Sequence, residues 1–135
     1  MSYPVLIVED HAKTGAVIES LLKAIGFTDI EHVPNGEEAV TRLRRGNIRL
    51  VLSDYHMRPI NGLELLGQMR EEDALADIPF VMVSADKDFQ LLRRAASAGI
   101  EVLIKPFKAA QLRDVLHKAI GSQGLRNATA ASARS

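Results

Sequence analysis

Glu9 and Asp10 are adjacent, Asp54 follows Ser53, Ser84 precedes Ala85-Asp86, and Lys105 precedes Pro106. Each of these sites stands where a short apolar run ends. Three carboxylates brought together repel one another, so they must neutralise or hold a cation. Oxygen donors without Cys favour a hard ion. Mg²⁺ (or Mn²⁺) fits, bound by one or two carboxylates and keeping waters that a phosphate can replace. Lys105 as a charge and Ser84 as a donor suit the oxygens of a phosphoryl group. In that setting a carboxylate can attack phosphorus and form an aspartyl phosphate. Asp54 is the best candidate nucleophile, because it stands alone at the end of a central run. Any one of these acids by itself reads as a solvated loop carboxylate; their convergence carries the reading.

The runs that must position them are Pro4-Val5-Leu6-Ile7-Val8, Ile30 to Val33, Leu50-Val51-Leu52, Phe80-Val81-Met82-Val83 and Val102-Leu103-Ile104. They are rich in β-branched residues and lack clean alternation, as in strands buried on both faces. Only the second is mixed, Asp29-Ile30-Glu31-His32-Val33, which suits a sheet edge. Helical periodicity fills the gaps. Val17, Ile18, Leu21, Leu22 and Ile25 form one stripe that stops at Gly26. Asn35-Gly36-Glu37-Glu38 and Asn61-Gly62-Leu63-Glu64 each offer an Asn N-cap with Glu three residues on. A weaker helix over 88–98 would bury Leu91, Leu92, Ala95 and Ala96 and stop at Gly99. The last places Leu112, Val115, Leu116, Ala119 and Ile120 on one face. No hairpin turn joins the runs. The pattern predicts an α/β fold: a doubly wound, five-stranded parallel sheet with right-handed crossovers. Ligands of such sheets sit beyond the carboxyl ends of the strands, where the acids, Ser84 and Lys105 fall.

With 135 residues, 47% apolar and 25% charged, the chain fits one domain with a real core. Seventeen basic residues balance seventeen acidic ones, so no bulk attraction to nucleic acid or anionic membrane is expected. Arg42, Arg44 and Arg45 lack an aromatic platform and read as a solvated face. The absence of cysteine excludes a disulfide scaffold, a thiol nucleophile and a Cys-based zinc site. No secretory leader or bilayer-length apolar run is present, which suits a cytoplasmic protein. Residues 122–135 are mostly small and polar, and the expectation is a disordered tail after a domain spanning 1–121.

Four motifs occur in order: Val8-Glu9-Asp10; Ser53-Asp54-Tyr55-His56-Met57-Arg58-Pro59-Ile60-Asn61-Gly62; Ile78-Pro79-Phe80-Val81-Met82-Val83-Ser84-Ala85; and Lys105-Pro106-Phe107. Together they closely resemble the receiver domain of bacterial two-component response regulators, over residues 4 to about 121. The resemblance implies a (βα)₅ flavodoxin-like sheet of order 2-1-3-4-5, the order that the chemotaxis member of the family has. It implies that Asp54 accepts a phosphoryl group from a phosphohistidine of a histidine kinase or phosphotransfer protein. Asp10, Asp54 and the backbone carbonyl of His56 would ligate Mg²⁺, with Glu9 acting through metal-bound water. Lys105 would pair with Asp54, Ser84 would move to donate to the phosphoryl group, and Lys105-Pro106 would be cis.

The chain departs from the family pattern in two places. Val102 stands where many receivers carry an aromatic ring that turns inward with the Ser/Thr. Arg58 separates Met57 from Pro59 in a stretch that often reads Met-Pro. The alternative function is a pseudo-receiver, a binding module used without phosphorylation; Val102 alone favours it. A phosphohydrolase would need a different first-strand motif and a cap, and a dinucleotide binder a Gly-rich loop. His11, Thr14 and Ile18 on the first helix are the expected contacts for the phosphate donor, with Gly15 admitting its backbone. Phe89 and Arg93 on the fourth helix are the expected contacts for an unknown downstream protein. Ala85 and Asp86 would modulate the switch. A monomer or weak dimer is expected.

Overall fold

The computed structural model describes residues 3–85 and 89–133. In chain order the elements are β1 (Val5–Val8), α1 (Ala12–Ile25), β2 (Ile30–Val33), α2 (Gly36–Arg44), β3 (Leu50–Asp54), α3 (Gly62–Glu71), β4 (Phe80–Ser84), α4 (Phe89–Ser97), β5 (Glu101–Ile104) and α5 (Ala109–Ala133). The five strands are parallel, in the order β2-β1-β3-β4-β5. This is the expected fold. The three inner strands are buried along their whole length, while β2 is half-exposed at its edge.

The sheet separates two apolar layers. Val5, Ile7, Leu50, Leu52, Val81 and Leu103 face one layer with Ile18 and Leu22 of α1 and Leu112 and Leu116 of α5. Leu6, Val8, Val51, Phe80 and Met82 face the other, with residues of α2, α3 and α4. Side chains alternate across a strand, so consecutive residues feed opposite layers. The Asn caps form as expected. The Asn35 side chain accepts from Glu38 N at 2.9 Å. Asn61 and Glu64 make a reciprocal capping box, at 2.9 and 3.0 Å. Arg42 forks onto Glu31 at 2.7 and 2.6 Å, and Arg44 onto Glu72 at 3.0 and 2.9 Å. Both arginines are engaged in ion pairs, Arg42 largely covered and Arg44 on the solvated surface.

Three expectations need correction. The buried line of α1 is Gly15, Ile18 and Leu22, while Val17 is 58% exposed. Val17 lies about 100° round the helix from Ile18, which turns it out of the stripe. On α4 only Leu91 and Ala95 are buried; Leu92 and Ala96 face solvent. The third concerns the C-terminus, expected to be disordered from residue 122. After a break at Gly121 (φ 77°, ψ 170°) the chain is helical again through Ala133. Leu125 and Ala128 are buried in the layer that holds Tyr3, Leu22 and Phe27. A segment with one Leu cannot build a core, but it needs only to cover one already built.

Candidate functional site

The strand register sets the site. Val8 is level with Ser53, Asp54 with Val83, and Ser84 with Ile104. Glu9 and Asp10 therefore leave β1 beside the last residue of β3, and Lys105 leaves β5 beside the last residue of β4. All emerge at the carboxyl edge, as the sequence pattern predicts.

Asp54 is 6% exposed and Glu9 1%. Lys105 Nζ lies 3.5 Å from Asp54 Oδ1 and 3.4 Å from Glu9 Oε2. Burial pushes the Asp54 carboxyl above the usual aspartate range; the Glu9 charge adds to this, Lys105 opposes it, and Asp10 adds a smaller push. The other Glu9 oxygen, Oε1, accepts from His11 N at 3.1 Å and lies 3.3 Å from His11 Nδ1. His11 Nδ1 also stands 2.9 Å from Asp10 Oδ1. Asp10 is exposed. Ser84 is fully buried, and its carbonyl accepts from Lys105 N at 2.8 Å.

Ligand atoms of Glu9, Asp10 and His11 lie within 4.8 Å of one another. Asp10 and His56 also line one cleft of about 460 Å³ with Tyr55, Met57, Arg58 and Asn61. Glu9, Asp10 and Asp54 carry three negative charges when ionised, and Lys105 offsets one. The remaining charge and the carboxylate oxygens, with the His11 ring nitrogen beside them, match a divalent cation. Of the residues expected at a Mg²⁺ site, Glu9 and Asp10 bring their carboxylates together in this cluster and fit such an ion.

The loop after Asp54 is fixed from below. Gly62 N donates to Tyr55 O at 2.9 Å. A Cβ at Gly62 would stand 2.7 Å from the Asp54 carbonyl oxygen, so only glycine lets α3 start this close. The Lys105–Pro106 peptide is cis, as the resemblance implies; Arg58–Pro59 is also cis, which nothing in the sequence announced.

Several residues behave otherwise than expected. Ile18 is 2% exposed and cannot be a surface contact; its neighbour Val17 is the exposed apolar side chain on the outside of α1. Thr14 is half-buried and the His11 side chain is 74% exposed. His11 joins the acidic cluster itself, a role its spacing two residues after Glu9 could have signalled. Gly15 does not await a partner's backbone: the His32 ring already lies against it. Phe89 is 81% exposed and Arg93 is exposed, as expected of a contact surface. Val102 is half-buried against the layer beneath α4, level with Met82. Ala85 is exposed, and Asp86 lies outside the described residues.

Residues 5–117 match the response regulator receiver domain family. The chain is 30% identical over 115 residues to chemotaxis protein CheY-3 of Vibrio cholerae serotype O1, covering 84% of this chain and 88% of that protein. Among solved structures it is similar to the receiver domain of sensor histidine kinase PA1611 of Pseudomonas aeruginosa PAO1, which has a magnesium ion coordinated in its active-site cleft. There the TM-score is 0.79 and the identity 27%, over 90% of this chain and 100% of that one. The bacteriophytochrome response regulator RtBRR shares the fold at TM-score 0.78 and 24% identity, over 99% of this chain and 95% of that one. That similarity takes in the C-terminal helix.

Proposed function

This chain belongs to the response regulator receiver domain family, whose work is two-component signalling, and we propose that it is a phosphoacceptor that takes a phosphoryl group from a phosphohistidine onto Asp54. One observation carries the reading: a buried Asp54 carboxylate ends a central strand with the Lys105 ammonium 3.5 Å away and two more carboxylates beside it.

In the proposed transfer an Asp54 oxygen attacks phosphorus in line. A P–O bond forms, the P–N bond breaks, and the imidazole leaves with its electron pair. Lys105, between Asp54 and Glu9, is placed to hold the equatorial oxygens as charge builds on them. Ser84 supplies the hydroxyl from the next strand. Asp10, Asp54 and the His56 carbonyl would hold Mg²⁺ (or Mn²⁺), with Glu9 acting through metal-bound water, and the ion would supply charge neutralisation and favour ionised Asp54. Burial of Glu9 and Asp54 keeps the carboxylates in fixed positions before the phosphoryl group arrives.

The donor is a histidine kinase or histidine phosphotransfer protein, docking across His11, Thr14 and Val17. The downstream target is a protein that reads α4 through Phe89 and Arg93. Val102 is β-branched and has no ring to swing, so the phosphorylation response is expected to favour α4 over β5. Amide shifts on adding beryllofluoride test this, and changes confined to β5 and α5 would contradict it.

The central test is incubation with acetyl phosphate and Mg²⁺ followed by intact mass. A gain of one phosphoryl group, lost with hydroxylamine and absent in Asp54→Asn, is the expected result. No gain in the parent protein would favour the binding-module reading instead.

A further inference from the structure

The chain between β1 and α1 carries Glu9 and Asp10, and β2 holds it at both backbone groups of Glu9. Glu9 N donates to Val33 O at 3.0 Å. Glu9 O lies 2.8 Å from His32 Nε2. A carbonyl oxygen only accepts, so Nε2 carries the proton and donates. His32 lies on the exposed edge strand, where nothing in the core requires a histidine.

The ring has a seat. Gly15 is buried in the first half of α1, and a Cβ built there would fall within 2.8 Å of both ring nitrogens. A glycine inside a helix costs about 1 kcal/mol relative to alanine. Here it clears the space the imidazole occupies while its Nε2 reaches Glu9. The two residues form one device, each explaining the other's type.

We infer that His32, seated on Gly15, is a positioning residue for the acidic turn: it fixes the Glu9 carbonyl and so sets where the next residue, Asp10, presents its carboxylate. The inference rests on the phosphoacceptor reading for its purpose. The geometry is independent of it. Groups that orient a metal ligand without touching the metal typically matter about tenfold or more in affinity or activity.

The test uses the full chain and Mg²⁺ alone as the first probe, followed by amide shifts of residues 9–12 and 55–56. Acetyl phosphate labelling by intact mass is the second. His32→Ala is expected to weaken Mg²⁺ binding and slow labelling, each about tenfold. His32→Gln can place its amide nitrogen where Nε2 stands, and is expected to stay within about twofold of the parent protein. Gly15→Ala pushes the ring off its seat and is expected to match His32→Ala. The double variant is expected to be no worse than His32→Ala alone, because the ring that clashes is gone. Unchanged Mg²⁺ affinity in His32→Ala, a Gln variant as impaired as Ala, or multiplying losses in the double variant would each overturn the inference. If the parent binds Mg²⁺ but takes no phosphoryl group, the phosphoacceptor reading fails and the Mg²⁺ series still decides the role of His32. A parent with no Mg²⁺ response overturns the inference itself.

Discussion

Glu9 and Asp54 share one cation: Lys105 Nζ lies 3.4 Å from the first carboxylate and 3.5 Å from the second. Both acids are buried, so their repulsion is poorly screened by water. Lys105→Ala removes the charge that opposes this repulsion and the proposed partner of the phosphoryl oxygens. Loss of such a stabilising group costs about a hundredfold in rate. Acetyl phosphate labelling of the variant, at saturating Mg²⁺, is expected to slow by that order. Labelling at the parent rate would remove Lys105 from the mechanism.

The Asp54 carboxyl is held above the usual aspartate range, first by burial and then by Glu9. Its folded-state pKa therefore exceeds its unfolded value. Protonated Asp54 favours the fold at pH below the unfolded value, and that contribution is lost as pH rises through the folded one. At neutral pH without divalent metal, Asp54→Asn is expected to melt higher than the parent protein. The gap is expected to narrow as pH falls towards the ordinary aspartate range. Melting curves across pH in chelator check this; a gap that widens on acidification would contradict the assignment of the strain to Asp54.

Leu125 closes the layer over Tyr3, Leu22 and Phe27, and the Thr129 side chain lies against Gly26 at the end of α1. Leu125→Ala is expected to cost about 2 kcal/mol, the low end for a buried leucine, since the segment is at the edge of the core. Truncation after Gly121 is expected to cost at least as much. Denaturant melts of both variants provide the measurement, and stability equal to the parent protein would show that the segment covers nothing.

The strands and their order were legible because buried parallel strands leave continuous β-branched runs, as in Val5–Val8 and Phe80–Ser84. The acidic edge followed from topology: Asp54 and Ser84 end strands, and Glu9 and Lys105 come directly after strand ends. What escaped depends on contacts between elements distant in sequence. His32 and Gly15 are on different elements, so their pairing leaves no local pattern. Leu125 and Ala128 gain meaning only once α1 and β1 have formed a surface to cover. Val17 and Ile18 were both apolar on a broad stripe, and periodicity did not decide which edge of the stripe turned outward. His11 is on the surface as read, with its side chain 74% exposed; its approach to Asp10 and Glu9 escaped because it depends on the path of the turn, not on helix phase.

That difference between Val17 and Ile18 separates docking from folding. Val17 is 58% exposed on α1, in the half of the helix that adjoins the acidic turn, whereas Ile18 is 2% exposed within the layer against the sheet. A phosphohistidine must reach Asp54 in line, so its carrier packs near this end of α1. An exposed apolar side chain there is suited to lose water against a partner helix. Val17→Glu puts a charge into that contact without touching the core. Surface substitutions of this kind usually change stability by about 0.5 kcal/mol or less. Transfer from the cognate phosphohistidine protein is expected to fall at least about tenfold, the scale of one interface residue worth more than 1 kcal/mol. Labelling by acetyl phosphate, which needs no docking, is expected to stay at the parent rate. Ile18→Glu, by contrast, buries an unpaired charge and is expected to lose the fold and both activities together. Equal loss from both donors in Val17→Glu, with the melting temperature unchanged, would place Val17 in the chemistry and not in the docking surface.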